Sequence, residues 1–321
     1  MFDNTHFPKA GKLWHMGRIH DWDTANIHSM THALHYGTSV FEGIRAYHTP
    51  KGPAVFRLKE HVDRFFHSAS VVHMTPPFDK PGVTAAVHEI LRENALDAAY
   101  IRPLMYYAYG NLGLVPKACP VELVIAAWEW GAYLGESAME GVHVYMLPWR
   151  RVHHSQYDMA AKLGGIYVQS TICGMLARDK GCDEAVFLNI EGNVAEGPGE
   201  NIVIIRDGVL RTNDRNESVL EGITRTSLLA IAADQGWKTE IGPITKEDFY
   251  QADEAFFCGT AAEVAPITRV TDGSDPEGSE STFEIGNGRP GEITLELRRI
   301  YMETVGGKRP EYEGWLSYVN E

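Results

Sequence analysis

The chain has 321 residues, 44% of them hydrophobic and 22% charged, which is enough for two domains, since a single hydrophobic core stops growing near ~250–300 residues. Its 29 Lys and Arg against 43 Asp and Glu give a formal charge of -14, which repels nucleic acid and anionic membrane surfaces, so an anionic ligand must be caught by a local cluster. Met1–Trp22 contains no apolar run of signal-peptide length, no stretch approaches the ~20 apolar residues of a membrane helix, and Cys119, Cys173, Cys182 and Cys258 form no C-x-x-C pair. These features predict a soluble, cytoplasmic protein with reduced thiols and neither a nucleic-acid nor a membrane partner.

In chain order, Leu13–Ile19 and Ala54–Leu58 read as strands, and Lys59–Met74 as an amphipathic helix with Val62, Phe65, Phe66 and Val72 apolar. Pro81-Gly82 introduces a helix to Ala95. Strands follow at Ala99–Tyr107 and Val121–Trp128. The small-residue stretch Glu129–Met139 is placed as a linker between a first domain, 1–128, and a second, 140–321.

Beyond it come the strand Val142–Leu147, the helix Gly165–Lys180, strands Glu184–Ile190 and Asn201–Ile205, and a turn at Asp207-Gly208 before Val209–Thr212. A helix Thr224–Gln235, a strand Glu254–Cys258 and a helix Glu292–Val305 complete the pattern. Asp272–Gly288, acidic and rich in Gly and Ser, reads as a mobile surface loop. Strands often follow strands without a helix between them, so the fold class is α+β rather than doubly wound. The G-x-x-x-x-G-K-[ST] phosphate motif is absent.

Five segments carry candidate chemistry. Lys162 stands in Met-Ala-Ala-Lys-Leu-Gly-Gly, a setting that lowers an ammonium pKa and so favours a neutral lysine able to attack an aldehyde; the plain alternative is a snorkelling surface lysine. Gly192–Asn201 is a Gly-rich loop with carboxylates at Glu196 and Glu200, where Glu196 has the charge to partner a pyridinium nitrogen. A solvated hairpin is the rival reading. Glu221–Thr226 opens an apolar-periodic helix whose N-terminal N–H groups suit an anion, against simple capping by Thr224 or Thr226. Gly259–Ala262 offers a second set of donors. His28, His32 and His35 have helical spacing for a metal site, but no carboxylate accompanies them, and polar core or cleft-lining histidines are favoured.

Together with His35-Tyr36-Gly37-Thr38-Ser39-Val40-Phe41-Glu42-Gly43-Ile44-Arg45 and the closing Gly314-Trp315-Leu316, these segments resemble the branched-chain aminotransferase family, within fold-type IV of the pyridoxal-phosphate enzymes, over nearly the whole chain. The resemblance implies a two-domain, D-amino-acid-aminotransferase-like fold with pyridoxal 5'-phosphate in the cleft between domains. It implies Lys162 as the Schiff-base and proton-transfer lysine and Arg64, in Glu-His-Val-Asp-Arg, on the cofactor phosphate. Ile223, Thr224 and Thr260 would complete the phosphate cup, Glu196 would partner the pyridine nitrogen and Tyr167 the phenolic oxygen, with Asn201, Leu220 and Gly259 also lining the cofactor.

For the substrate, Tyr36, Phe41, Trp130 and Tyr133 resemble an aromatic wall around an aliphatic side chain, with Gly43 and Arg45 beside it. Tyr100 and Arg102 match positions that handle carboxylates, Arg102 serving the distal carboxylate of 2-oxoglutarate, and Gly259-Thr260-Ala261 would give backbone donors to the α-carboxylate. The implied reaction exchanges an amino group between branched-chain L-amino acids and 2-oxo acids, in a homodimer or higher homo-oligomer and without a metal. A D-amino-acid or (R)-amine transaminase on the same scaffold is the alternative. The chain departs from the family pattern at Ile166, where Asn is common, and at Pro198, where Ala is frequent.

Overall fold

The computed structural model describes residues 11–131, 140–275 and 277–320. These fall into two compact units. The first takes 11–131, 161–166 and 303–320; the second takes 140–160, 167–275 and 277–302. Most of the expected linker, from 132 to 139, lies outside the described residues.

The first unit opens on a hairpin, β1 (Lys12–His15) and β2 (Arg18–Asp21), with Met16 and Gly17 in the turn at positive φ. What the sequence presents as one strand is therefore two. A short helix α1 (His32–Tyr36) precedes β3 (Ser39–Phe41), β4 (Ile44–Tyr47) and β5 (Ala54–Phe56). Helices α2 (Leu58–Val71) and α3 (Lys80–Glu93) follow, then the long strands β6 (Ala99–Tyr107) and β7 (Val121–Trp128). Together with the C-terminal strand Leu316–Tyr318 they form an antiparallel sheet, ordered C-terminal strand, β5, β4, β6, β7, β1, β2, with β3 also paired to β6.

Residues three and four apart on α2 (His61, Val62, Phe65, Ser68, Ala69) turn inward, the spacing of a helix with one buried stripe. With Val83, Val87, Ile90 and Leu91 of α3 they cover one face of the sheet, where Ile101 and Met105 of β6 and Leu123, Ile125 and Ala127 of β7 point. Side chains alternate along a strand, so Tyr100 and Arg102 of β6 stand on the other face. That alternation is what frees them for chemistry.

The second unit is built on a mixed sheet. Its elements are β8 (Val142–Arg150), α4 (Tyr167–Asp179), β9 (Glu184–Leu188), β10 (Asn201–Arg206), β11 (Val209–Thr212), α5 (Ile223–Asp234), β12 (Lys238–Ile241), α6 (Lys246–Tyr250), β13 (Glu254–Gly259), β14 (Glu263–Asp272) and β15 (Ser281–Glu284). Strand order is β12, β11, β10, β13, β14, β8, β9, with β15 on β14. The β8–β9, β8–β14 and β11–β12 pairs are parallel and the rest antiparallel. The final helix α7 spans Glu292–Val305.

The fold class is α+β, with two such sheets. One expectation fails: Asp272–Gly288 is not simply a mobile loop. Ser281–Glu284 pairs with β14, Ile285 is buried, and Asp272 accepts bonds from Tyr250 Oη at 2.6 Å and Lys246 Nζ at 2.9 Å. Its acidic side chains take part in tertiary pairs that composition cannot reveal. The four cysteines are free and buried. Among the described residues, no helix is long and apolar enough to cross a membrane.

Candidate active site

In the first unit, Lys162 is half-buried in an extended segment rather than at a helix start. Its backbone N–H donates to Ser68 Oγ of α2 at 2.8 Å and its carbonyl accepts from Phe41 N–H at 3.2 Å, while Leu163 bridges Val40. The lysine backbone is thus tied to both α2 and β3. Its ammonium lies 5.0 Å from the centre of the Phe41 ring. Burial, reinforced by the Arg64 charge and opposed by Glu42, pushes its pKa from 10.5 down to about 8. This excludes the snorkelling reading.

Arg64 meets Glu42 through two parallel bonds, Nε to Oε1 at 2.6 Å and Nη2 to Oε2 at 2.8 Å. Glu42 is fully buried and also accepts from His61 Nδ1 at 2.8 Å. Burial would raise this carboxyl, but Arg64 and His61 together hold it down at about 2. Burial in turn pushes the His61 pKa down, so the ring is neutral and donates its Nδ1 proton to Glu42. Removing one partner of such a buried pair costs about 3–5 kcal/mol. Sequence reading singled out Arg64 but not Glu42 or His61, whose roles depend on a contact across 19 residues.

On the other face of β6, Arg102 Nη2 donates to Tyr100 Oη at 2.7 Å, and its guanidinium lies 4.6 Å from the Phe41 ring centre. Its buried Nε has no hydrogen-bond partner, a donor that an incoming carboxylate would satisfy. Tyr100 packs edge-on against Trp130 at 4.5 Å and tilted against Trp128 at 5.1 Å. A Cβ on Gly43 would stand 2.3 Å from Tyr100 Oη, so glycine there gives that hydroxyl its room. Arg45 donates to the carbonyls of Trp130 and Gly131 at 3.0 and 2.8 Å. Lys162, Arg64, Phe41, Gly43, Arg45, Tyr100, Arg102 and Trp130 therefore come together. Tyr36 is 45% exposed and donates to the Leu112 carbonyl at 3.0 Å. Tyr133 lies outside the described residues.

The three helix-spaced histidines serve other partners. His32 bonds Thr38 Oγ1 and the Gly113 carbonyl, His35 the Ser29 carbonyl, and His28 accepts from Met30 N–H. Among the described residues, no three His, Cys, Asp or Glu side chains converge as metal ligands do.

In the second unit a chain of bonds links the other candidates. Glu196 Oε2 accepts Leu220 N–H at 3.0 Å, Asn201 Nδ2 donates to the Leu220 carbonyl at 2.8 Å, and Asn201 Oδ1 accepts Gly222 N–H at 2.9 Å. A Cβ at Gly222 would fall 2.3 Å from that Oδ1. The network fixes the turn that starts α5 at Ile223 and buries Thr224. No side chain caps this helix: Thr226 Oγ1 instead donates back to the Gly222 carbonyl, so simple threonine capping is excluded. Gly259 packs 3.2 Å from the Gly199 carbonyl by its would-be Cβ, which puts Gly259-Thr260-Ala261 beside the Gly197–Asn201 loop. Tyr167 is the first residue of α4.

Glu196 is buried, and its Oε1 accepts from Arg151 Nε at 2.9 Å. Arg151 is equally buried, lies 5.0 Å from the Phe187 ring centre and donates to Gln169. Sequence reading missed it, because Arg150-Arg151 looks like a solvated strand end. The solvated-hairpin reading of the Glu196 loop fails on the same burial.

The family model of amino-transferase class IV matches residues 39–270. A branched-chain-amino-acid aminotransferase of Pseudomonas aeruginosa is 43% identical over 97% of this chain and 98% of that relative. Among solved structures, a T.th. branched-chain amino acid aminotransferase with pyridoxamine 5'-phosphate superposes with a TM-score of 0.91 at 46% identity, covering 98% of this chain and all of the other. The T.th. enzyme complexed with N-(5'-phosphopyridoxyl)-L-glutamate gives 0.90 at 43% identity with the same coverage. With a half-buried low-pKa lysine, a clamped arginine and an uncapped helix start in hand, these matches settle its place: the chain belongs to the class IV aminotransferases, in the branched-chain-amino-acid aminotransferase family.

Proposed function

We propose that the chain transfers amino groups between branched-chain L-amino acids (leucine, isoleucine, valine) and 2-oxoglutarate, using pyridoxal 5'-phosphate held by the residues above. The observation that carries this reading is Lys162: a lysine brought down to about 8 by burial and the Arg64 charge, with its ammonium 5.0 Å from the Phe41 ring centre. The residue chemistry fits the cofactor. There is an amine for its aldehyde, an arginine and a helix start for its phosphate, and a buried carboxylate for its ring nitrogen. The solved T.th. structures, with pyridoxamine 5'-phosphate and with a phosphopyridoxyl-glutamate adduct, support the same reading.

When bound, pyridoxal 5'-phosphate supplies the aldehyde that takes up the amino group and the ring that draws electrons from the substrate Cα. Lys162 then acts as the base that takes the Cα proton and as the acid that returns it, a role that a group titrating near working pH fills well. Arg64, the first N–H groups of α5 at Ile223 and Thr224, and the Thr260 hydroxyl bind the phosphate. Glu196, held at both oxygens, accepts from the ring nitrogen, and the Tyr167 hydroxyl bonds the phenolic oxygen; Asn201, Leu220 and Gly259 shape that wall.

Phe41, Tyr100 and Trp130, with Tyr36, form an apolar wall that favours an aliphatic side chain and excludes water. Gly43 and Arg45 hold Tyr100 and Trp130 in place. Arg102, with its unsatisfied Nε, takes the distal carboxylate of 2-oxoglutarate, and Gly259-Thr260-Ala261 supply N–H donors to the α-carboxylate. Leu114 and Val115, 76% and 61% exposed, offer apolar surface for a second copy, in keeping with a homo-oligomer. The buried free cysteines suit the reducing cytoplasm.

The test is glutamate formation from 2-oxoglutarate with L-leucine, D-leucine or an (R)-amine as donor. Turnover with the L-amino acid supports the proposal. Turnover confined to the D-amino acid or the amine overturns the substrate assignment and leaves the cofactor assignment in place.

A further inference from the structure

Glu42 and His61 lie inside the first unit and have no part in the reaction as outlined. Glu42 is reached by no solvent, its backbone N–H is tied to the Pro103 carbonyl, and its two oxygens face three donors: His61 Nδ1, Arg64 Nε and Arg64 Nη2. Its neighbours Phe41 and Gly43 belong to the substrate side. A guanidinium has five N–H donors in a rigid plane. Once Glu42 takes Nε and Nη2, the directions of all the others are set, and the side chain keeps 14% of its surface exposed while Glu42 keeps none.

A further tie runs along α2. Ser68 Oγ donates to the Arg64 carbonyl at 2.9 Å and accepts the Lys162 N–H at 2.8 Å. The backbone that carries Arg64 and the backbone that carries Lys162 are thus held to each other by one buried hydroxyl.

Resting on the cofactor reading above, we propose that Glu42 is a positioning residue for cofactor capture: braced by His61, it clamps one edge of Arg64 so that the other edge is presented to the phosphate before the cofactor arrives. The clamp replaces a flexible search by a fixed fork, so that little rotamer freedom is lost on binding. It also balances the arginine's charge, whose influence would otherwise press further on Lys162.

The experiment measures affinity of the cofactor-free protein for pyridoxal 5'-phosphate and, separately, for pyridoxal, which has the aldehyde and ring but no phosphate. Glu42→Gln keeps the shape but offers one acceptor and one donor where the carboxylate offers two acceptors. It is expected to weaken the phosphorylated ligand about 10- to 100-fold, the size seen when outer partners of metal ligands are removed, and to leave pyridoxal within about twofold.

In an Arg64→Gln background, Glu42→Gln is expected to cause no further loss, which a double-mutant cycle reads directly. Unchanged or tighter binding of pyridoxal 5'-phosphate by Glu42→Gln overturns the inference. So does equal weakening of both ligands, the signature of a merely structural role, or additive losses in the cycle. If Glu42→Gln does not fold, Glu42→Asp, which retains the charge and shortens the reach, must show the same phosphate-selective loss or the inference falls. Failure of the unaltered protein to capture either ligand sinks the cofactor reading itself, whereas normal capture by the unaltered protein and by Glu42→Gln alike sinks only this inference.

Discussion

The two units hold their candidate groups by different means. In the first, side chains hold side chains: Glu42 clamps Arg64, Arg64 bears on Lys162, and Arg102 bonds the Tyr100 hydroxyl. In the second, one ion pair, Arg151–Glu196, is surrounded by main-chain partners: Leu220 N–H on Glu196, Asn201 bridging Leu220 and Gly222, and the start of α5. The difference separates two tasks. A group that must change protonation needs neighbours whose charges set its pKa, whereas a group that must only bind an anion or hold a fixed charge is better served by a rigid frame of backbone donors.

The largest break in this comparison comes from Lys162→Ala, expected to lower kcat by at least about 10^4-fold, the upper range for positioned proton transfer, with the melting curve retained. Steady-state turnover checks it. Next is Glu196→Gln, which removes the fixed charge of the second unit while keeping its shape. One preorganised electrostatic partner is worth about 10^2–10^3 in kcat, so a loss in that range, with folding intact by circular dichroism, is the expected outcome.

Arg102→Ala sharpens the substrate side. Hydrogen bonds to a charged group contribute about 1.5–3 kcal/mol, so KM for 2-oxoglutarate should rise about 10- to 150-fold while KM for L-leucine moves little. Gly222→Ala probes the backbone frame, since its methyl would stand 2.3 Å from Asn201 Oδ1. Overpacking costs about 1–3 kcal/mol, read as a lowered melting temperature together with weaker cofactor retention.

The smallest effect concerns pH. Lys162 is lowered from 10.5 to about 8, so between those values the unfolded chain binds more protons and stability rises with pH. Lys162→Met should therefore stabilise the cofactor-free protein at pH 7 by roughly 1–3 kcal/mol, each pKa unit being worth about 1.4 kcal/mol before solvent screening. The gain should shrink as pH climbs from 8 towards 10.5. Thermal melts across that range check the sign.

How much of this the sequence discloses depends on how local each signal is. The α2 stripe and the alternation of β6 and β7 are periodic and are read within a residue or three at their ends. β14 escapes reading because Pro266 interrupts it; that residue, which cannot donate, nonetheless sits opposite Phe256 in the ladder. β3 and β4 are short and split by Glu42-Gly43, and β15 is polar, so neither periodicity nor composition marks them.

The same holds for the site. Lys162 stands out because a charge among small apolar residues is anomalous on its face, and Glu196 and the α5 start because glycines flag close approach. Glu42, His61 and Arg151 look ordinary in sequence. Each gains its meaning from a partner between 19 and 45 residues away, and only the fold brings those partners together.

The most direct test of the central claim, that Lys162 binds and serves a pyridoxal cofactor for L-amino-acid exchange, is the absorbance spectrum of purified protein loaded with pyridoxal 5'-phosphate. The account predicts a visible band of lysine-bound cofactor that vanishes on adding L-leucine, returns on adding 2-oxoglutarate, and never forms in Lys162→Ala. A protein that shows no such band after loading, or a Lys162→Ala variant that completes the same cycle, would contradict it.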